Sequence, residues 1–312
     1  MLKSTHSIIN FSDLAPRKVL NRVAYPFVKK EIDDLHRITS TIDIKSDEYC
    51  EAMAAYADRF LQGKELLCNF EEPILNKIAQ SDMPVIYVMN HSKQTRDPSM
   101  LMLFNGILNV KYLELGKAAT SPRPKIIMNQ NIIKSQCSKM QDIYERCGAI
   151  GVDITSDKPN NTRALISVIR GYLSGDTNIF IFPEGRNCVK QYLPFEERFQ
   201  DGVSGIIKRI TEMGKTVKVV PLGFSYGKDK KILGSMYIGK PMYFKKSGQE
   251  ILISSANADS EFASEKLKQS FGKRFITRIS GIKEISEQII ENMKICMSEA
   301  NKRLLNPDNT PL

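Results

Sequence analysis

What this chain lacks narrows its function before any motif is read. No stretch approaches the ~20 consecutive apolar residues of a membrane-crossing helix. The opening residues, MLKSTHSIINFSD, have neither the apolar segment nor the small-residue cleavage site of a secretory signal. The six cysteines (Cys50, Cys68, Cys137, Cys147, Cys188, Cys296) are scattered with no Cys-x-x-Cys pair. That argues against a zinc site and for reduced thiols in a cytoplasmic setting. There is no Gly-x-Ser-x-Gly elbow, no His-Glu-x-x-His and no Gly-x-Gly-x-x-Gly, so the usual signatures of serine hydrolases, zinc proteases and dinucleotide binders are missing. The stretch Gly234 to Lys240 has phosphate-loop spacing, but Pro241 follows where a magnesium-binding hydroxyl belongs, so it reads as a strand with turn glycines. Gly202-Val203-Ser204-Gly205 follows Asp201 into a helical pattern rather than a strand, which excludes a nucleophile turn. Internal repeats and low-complexity segments are absent.

What is present is a chain with a core and a positive surface. Hydrophobic residues make up 42% of the 312, and the formal net charge is +10. Such a surface suits an anionic partner: nucleic acid, anionic lipid headgroups, phosphorylated metabolites or an acidic protein. Charge alone leaves a basic nucleic-acid-binding protein open, although no aromatics cluster on basic strands and no binding motif is recognisable. Residues 14–30, LAPRKVLNRVAYPFVKK, interleave Val19, Leu20, Val23 and Phe27 with Arg17, Lys18, Arg22, Lys29 and Lys30. The pattern fits either an interfacial membrane anchor kinked at Pro26 or a helix packed on the core.

The texture changes along the chain. Residues 1–80 read as an N-terminal helical region, with a helix start at Ser46-Asp47. From residue 81 to 245, apolar strands (85–89, 109–115, 148–154, 178–182, 218–224) alternate with helical stretches near 98–107, 131–147, 161–173 and 200–213. This alternation implies an α/β fold with a mostly parallel central sheet flanked by helices. Residues 227–248 read as a lysine-rich hairpin or edge segment, and 257–269 as helical or loose. The region 246–312 is a C-terminal helical extension whose stripe of Ile282, Ile285, Ile289, Met293 and Cys296 packs on the core. Pro221, inside the strand at 218–224, implies an edge or a bulge.

Ligands of parallel sheets sit at the carboxyl ends of strands. Of the three histidines, His6 falls in the N-terminal tail and His36 in a charged helical stretch that reads as surface. His91 follows the apolar strand VIYVM, and Asp97-Pro98 begins a helix after a polar corner. A histidine there either serves chemistry or satisfies a loop hydrogen bond. A second strand, NIFIF, ends in Pro183-Glu184-Gly185-Arg186, where a carboxylate and a guanidinium stand together. Arg186 can fork onto phosphate or carboxylate, and Glu184 can hold a hydroxyl or orient that arginine. Cys188 follows in the same polar loop and reads as an ordinary small residue.

Four blocks in order, Asn90-His91-Ser92 with Asp97, Gly148 to Asp153, Phe182 to Arg186, and Val219-Val220-Pro221-Leu222, resemble the glycerolipid acyltransferase family, the glycerol-phosphate and lysophosphatidate acyltransferases. The resemblance covers roughly residues 84–225. Five residues separate His91 from Asp97, one more than the family spacing. Arg186 follows Gly185 directly, and Ile154 stands where the second block commonly has arginine, leaving Lys158 or Arg163 to supply that cation. These departures bear on acceptor binding more than on acyl transfer.

The resemblance implies an O-acyltransferase of phospholipid synthesis. It would move an acyl group from acyl-coenzyme A or acyl carrier protein to a hydroxyl of a glycerol-phosphate-like or lysophospholipid acceptor, with the thioester as co-substrate and no metal or other cofactor. His91 would be the base and Asp97 its partner, with Asn90, Ser92, Glu184, Gly185, Arg186, Lys158, Arg163 and Pro221 around the acceptor. Lys93 and Arg96 either meet a phosphate or are solvated surface charge. The expected setting is cytoplasmic, peripheral on the inner face of a membrane. A catalytically silent homologue that binds lipid or acyl carrier protein is the alternative within the family.

Overall fold

The computed structural model describes residues 65–68, 72–91, 97–117, 121–134, 138–146, 148–152, 159–184, 194–226, 232–254, 276–279 and 281–305, with ten further positions between 33 and 51. The sequence readings at His6, residues 14–30, Cys188 and 257–269 lie outside the described residues. The chain is an α/β protein built on one mixed, mostly parallel sheet with helices on both faces.

In chain order the elements are β1 (Glu65–Cys68), α1 (Glu72–Gln80), β2 (Val85–Met89), α2 (Asp97–Glu114), β3 (Arg123–Asn129), α3 (Gln130–Lys134), α4 (Ser138–Arg146), β4 (Ala149–Val152), α5 (Pro159–Leu173) and β5 (Thr177–Ile181). There follow α6 (Phe195–Arg198), α7 (Gly202–Glu212), β6 (Val217–Tyr226), β7 (Ile232–Ile238), β8 (Met242–Ser247), β9 (Glu250–Ser254), β10 (Ile276–Ile279) and α8 (Ile282–Leu305). Strand order is β10-β9-β8-β6-β2-β5-β3-β4, with β7 also on β6 and β1 on β7. The run β6-β2-β5-β3-β4 is wholly parallel.

β2 is central, and its continuous apolar run is what a strand covered on both faces requires. Val85, Tyr87 and Met89 face α1 and α2, meeting Leu75, Ile78, Leu101, Phe104 and Leu108. Ile86 and Val88 face α5, α7 and α8, meeting Val168, Ile206, Ile207, Ile285 and Ile289. The period of two along the strand divides one sheet between two cores.

The structure corrects several sequence expectations. Residues 109–115 are not a strand: α2 continues through Glu114, because Leu101, Phe104, Leu108 and Tyr112 form one buried stripe at helical spacing. A strand that the pattern did not suggest, β3, fills 123–129. β7 and β8 are not paired as a hairpin; both lie antiparallel to β6 along the same edge, one beyond the other. That arrangement also corrects the reading of Pro221. β6 is interior and carries no bulge at Pro221, yet along β6 the proline sits between the last pair with β8 (Val219 with Met242) and the first with β7 (Leu222 with Ile238). Its missing N–H falls at the fork, and its carbonyl accepts from Gly239 N–H at 2.9 Å.

The sheet also continues past residue 245: β8 spans 242–247, and β9 and β10 extend the same sheet. At the other end, β1 pairs with β7 and α1 packs on the core that includes β2. α8 packs on the sheet as its stripe predicts, burying Ile285, Ile289, Met293 and Cys296. It approaches to backbone contact: a Cβ at Gly223 would stand 2.2 Å from the Cys296 carbonyl oxygen, so only glycine fits there.

Candidate active site at the ends of β2 and β5

β2 and β5 are adjacent and parallel, so their carboxyl ends lie side by side. Asn90-His91 leaves one and Phe182-Pro183-Glu184 leaves the other. Residues 93 positions apart meet there: the His91 backbone N–H donates to Glu184 Oε1 at 2.5 Å. The second carboxylate oxygen, Oε2, accepts from Arg198 Nη1 of α6. Glu184 is fully buried and Arg198 only 7% exposed, so this is an interior ion pair. Burial pushes the Glu184 carboxyl above its ordinary range, while the His91 amide and the Arg198 guanidinium pull it back toward the charged form. The His91 ring lies 5.1 Å from the Phe182 ring, tilted by 38°. His91 is thus nearly buried, with its main chain held by charge and its ring against an aromatic wall.

Asn90 uses its side chain inward. Its Nδ2 donates to Phe224 O at 3.0 Å and its Oδ1 accepts from Phe224 N–H at 2.6 Å. The β2–β6 ladder runs to Met89 and Leu222, and beyond it the Asn90 amide takes the place of a further peptide group. Both of its amide atoms therefore bond to β6. Glu184 likewise faces inward, because each of its oxygens is committed to a partner within the protein.

The other expected site residues divide by place. Pro221 is buried in β6, paired with Val88 beside the His91 corner. Arg163 is exposed on the early turns of α5, at the β4 side. The described part of the second block, Gly148 to Val152, lies at β4, the last strand of the order, separated from β5 by β3. α2 begins at Asp97 with Pro98 in its first turn, as a helix start after the corner requires. Ser92, Lys93, Arg96, Lys158, Gly185 and Arg186 lie outside the described residues, as does the side chain of Asp97 and hence its pairing with His91.

Arg198 escaped the sequence reading, although a signal was there. Phe195 and Arg198 fall at i and i+3, so the arginine shares the buried face of its helix with a phenylalanine. A guanidinium on a buried face calls for a buried carboxylate. His36, read as surface, is only half-buried and bonds Asp142 Oδ2 of α4 at 2.7 Å. Among the described residues no cluster of three or more His, Cys, Asp or Glu side chains is placed to hold a metal ion. No helix of the described residues is long and apolar enough to cross a membrane. No protein-family model matches this chain, and no curated protein matches it.

Proposed function

We propose that this protein is an O-acyltransferase of the glycerolipid acyltransferase type. It transfers a fatty acyl group from acyl-coenzyme A or acyl carrier protein to a hydroxyl of a glycerol-phosphate-like or lysophospholipid acceptor. The observation that carries the reading is the His91–Glu184 hydrogen bond, which joins the first and third sequence blocks at neighbouring strand ends. The fourth block supports it from the other side of β2, where Pro221 pairs with Val88.

In this mechanism the acceptor hydroxyl is the nucleophile. Its oxygen attacks the thioester carbonyl carbon as His91 removes the hydroxyl proton. Asp97 holds the other ring nitrogen and stabilises the imidazolium. The tetrahedral oxyanion faces the N-terminus of α2, where free backbone N–H groups favour negative charge. Collapse breaks the carbon–sulfur bond, and the departing thiolate takes the proton back from His91. The ester and free thiol leave, and no acyl-enzyme forms. Gly185, Arg186, Ser92, Lys158 and Arg163 are the acceptor-side candidates, while Glu184 and Asn90 hold the corner in place. The basic surface suits an anionic membrane or an acidic carrier protein, with the protein cytoplasmic and peripheral.

The test is thiol release from acyl-coenzyme A and acyl carrier protein, with a panel of alcohol acceptors. Wild type should release thiol only when an acceptor is present, and His91→Ala should lose ~100- to 10,000-fold of that rate. Binding of lipid or carrier protein without turnover of any donor would mark a catalytically silent homologue. Salt-sensitive binding to nucleic acid with no thioester turnover would replace the reading altogether.

A further inference from the structure

We infer that Arg198 is a positioning residue for His91, acting through Glu184: its guanidinium fixes the carboxylate that holds the His91 backbone amide. The inference rests on the acyltransferase reading for its catalytic consequence, while its geometry stands independently. The Glu184 carboxylate is wholly buried, and one oxygen serves His91 while the other serves Arg198. A buried carboxylate with one partner removed either takes up a proton or turns toward water. Both outcomes weaken the charged acceptor that now holds the His91 main chain. The imidazole is carried by that main chain, so a displaced amide displaces the base.

The chain leaves β5 after Ile181, is described to Glu184 and again from Pro194 into α6, and the two described flanks meet where Gln200 N–H donates to Pro183 O at 2.8 Å. Arg198 also lies over the Phe195 ring at 5.9 Å, and Phe195 is buried in the core. The Gln200–Pro183 bond thus ties the two flanks of residues 185–193, the segment that contains Gly185 and Arg186. The outer side of α6 has a different tie: Lys294 of α8 donates to Glu196 at 2.6 Å. The Lys294 and Glu196 side chains are 50% and 41% exposed, so that pair contributes little and serves as a control for the docking of α6.

The experiment reads the His91 amide proton of the full-length, nitrogen-15-labelled chain, together with kcat and KM for the thioester. It compares wild type, Arg198→Met, Arg198→Lys and Lys294→Ala. In wild type the amide should resonate downfield, as expected of a bond to a charged acceptor. In Arg198→Met it should move upfield and exchange about tenfold faster, and kcat should fall by up to ~100-fold with KM within about a factor of two. Arg198→Lys should recover most of both, since the observed contact is a single donor that an ammonium can supply. Lys294→Ala should leave both unchanged.

An unmoved His91 amide in folded Arg198→Met overturns the inference, as does a kcat loss that Arg198→Lys fails to relieve. If Arg198→Met does not fold, Arg198→Gln, which keeps Glu184 and offers it only a neutral donor, is read instead. An upfield, faster-exchanging His91 amide with lowered kcat in that variant supports the inference, and an amide unmoved from wild type overturns it. Should wild type release no thiol from any donor, the acyltransferase reading fails alone, and the amide measurement still decides the role of Arg198.

Discussion

The two halves of the sheet are built from similar apolar strands yet end differently. In the parallel half, β6-β2-β5-β3-β4, every strand points the same way, so all the carboxyl ends gather on one edge. Asn90, His91 and Glu184 stand on that edge, and helix starts follow it. In the antiparallel half, β8, β9 and β10 alternate direction, and β8 joins β9 by a short turn: Ser247 pairs with Glu250 across a two-residue turn opened by Gly248 at φ 64°. α8 covers the β6–β7 region so closely that glycines replace side chains. Parallel topology collects polar strand ends in one place, whereas antiparallel topology distributes them. One half therefore has room for chemistry, and the other supplies a rigid wall on which β6, and through it β2, is mounted.

The sharpest way to break this comparison is to substitute one residue at the His91 corner and one where α8 packs on the sheet, and read two quantities. His91→Ala should remove ~100- to 10,000-fold of activity, with the thermal midpoint almost unchanged because the backbone amide that Glu184 holds remains. Gly223→Ala should do the reverse. The added methyl would meet the Cys296 carbonyl oxygen at 2.2 Å and its carbon at 2.3 Å, both main-chain atoms that cannot rotate away. A loss of about 3 kcal/mol in denaturant-derived stability is expected, with kcat per folded molecule retained. If Gly223→Ala lowers kcat while stability holds, the wall is part of the catalytic apparatus and the division fails.

The contrast also explains which parts were legible in sequence. β2 and α8 announce themselves because burial on two faces demands a continuous apolar run, and burial on one demands a stripe. The positions of His91 and Glu184 at strand ends could be read directly, since strand termination is a local property. Their adjacency required the order β2-β5, which local pattern does not encode: β5 is inserted between β2 and β3 although β3 and β4 both separate it from β2 in the chain. The end of α2 mimics a strand because Val110 and Tyr112 flank Lys111 and Leu113 and Leu115 flank Glu114, over a stretch too short to separate the two periods. Pro221 was legible as an exception but not as a fork, because the changeover from β8 to β7 is a property of three strands. The inward use of Asn90 was hidden for the same reason, its partner Phe224 lying 134 residues away.

Asn90 is where the two halves meet, and its substitution sharpens the comparison at smaller amplitude. Asn90→Ala would leave the buried N–H and C=O of Phe224 without their present partner. A loss of about 2 kcal/mol is expected, and kcat should fall as well, since the residue joins the β6 wall to the His91 corner. Stability loss at constant kcat would show that β6 and the corner move independently.

The smallest effect belongs to the rim of the parallel half. The Arg146 side chain, hydrogen-bonded to Asp142, holds that carboxyl below the ordinary range against the opposing effect of lost hydration, and His36 adds a second bond. Because the folded value is depressed, this carboxylate favours the fold above its unfolded pKa, and the contribution disappears as pH falls through the folded value. A carboxyl titration followed by nuclear magnetic resonance should place Asp142 below ordinary aspartates in wild type and nearer to them in Arg146→Ala, with a lesser rise in His36→Ala. Thioester turnover should not follow this titration, because Asp142 on α4 is remote in the strand order from β2 and β5. Turnover that tracked Asp142 would instead mean that the rim reports to the corner. Coupling of that kind would have to run through β4 and β3, the strands that separate α4 from Glu184, and not through the buried pair with Arg198.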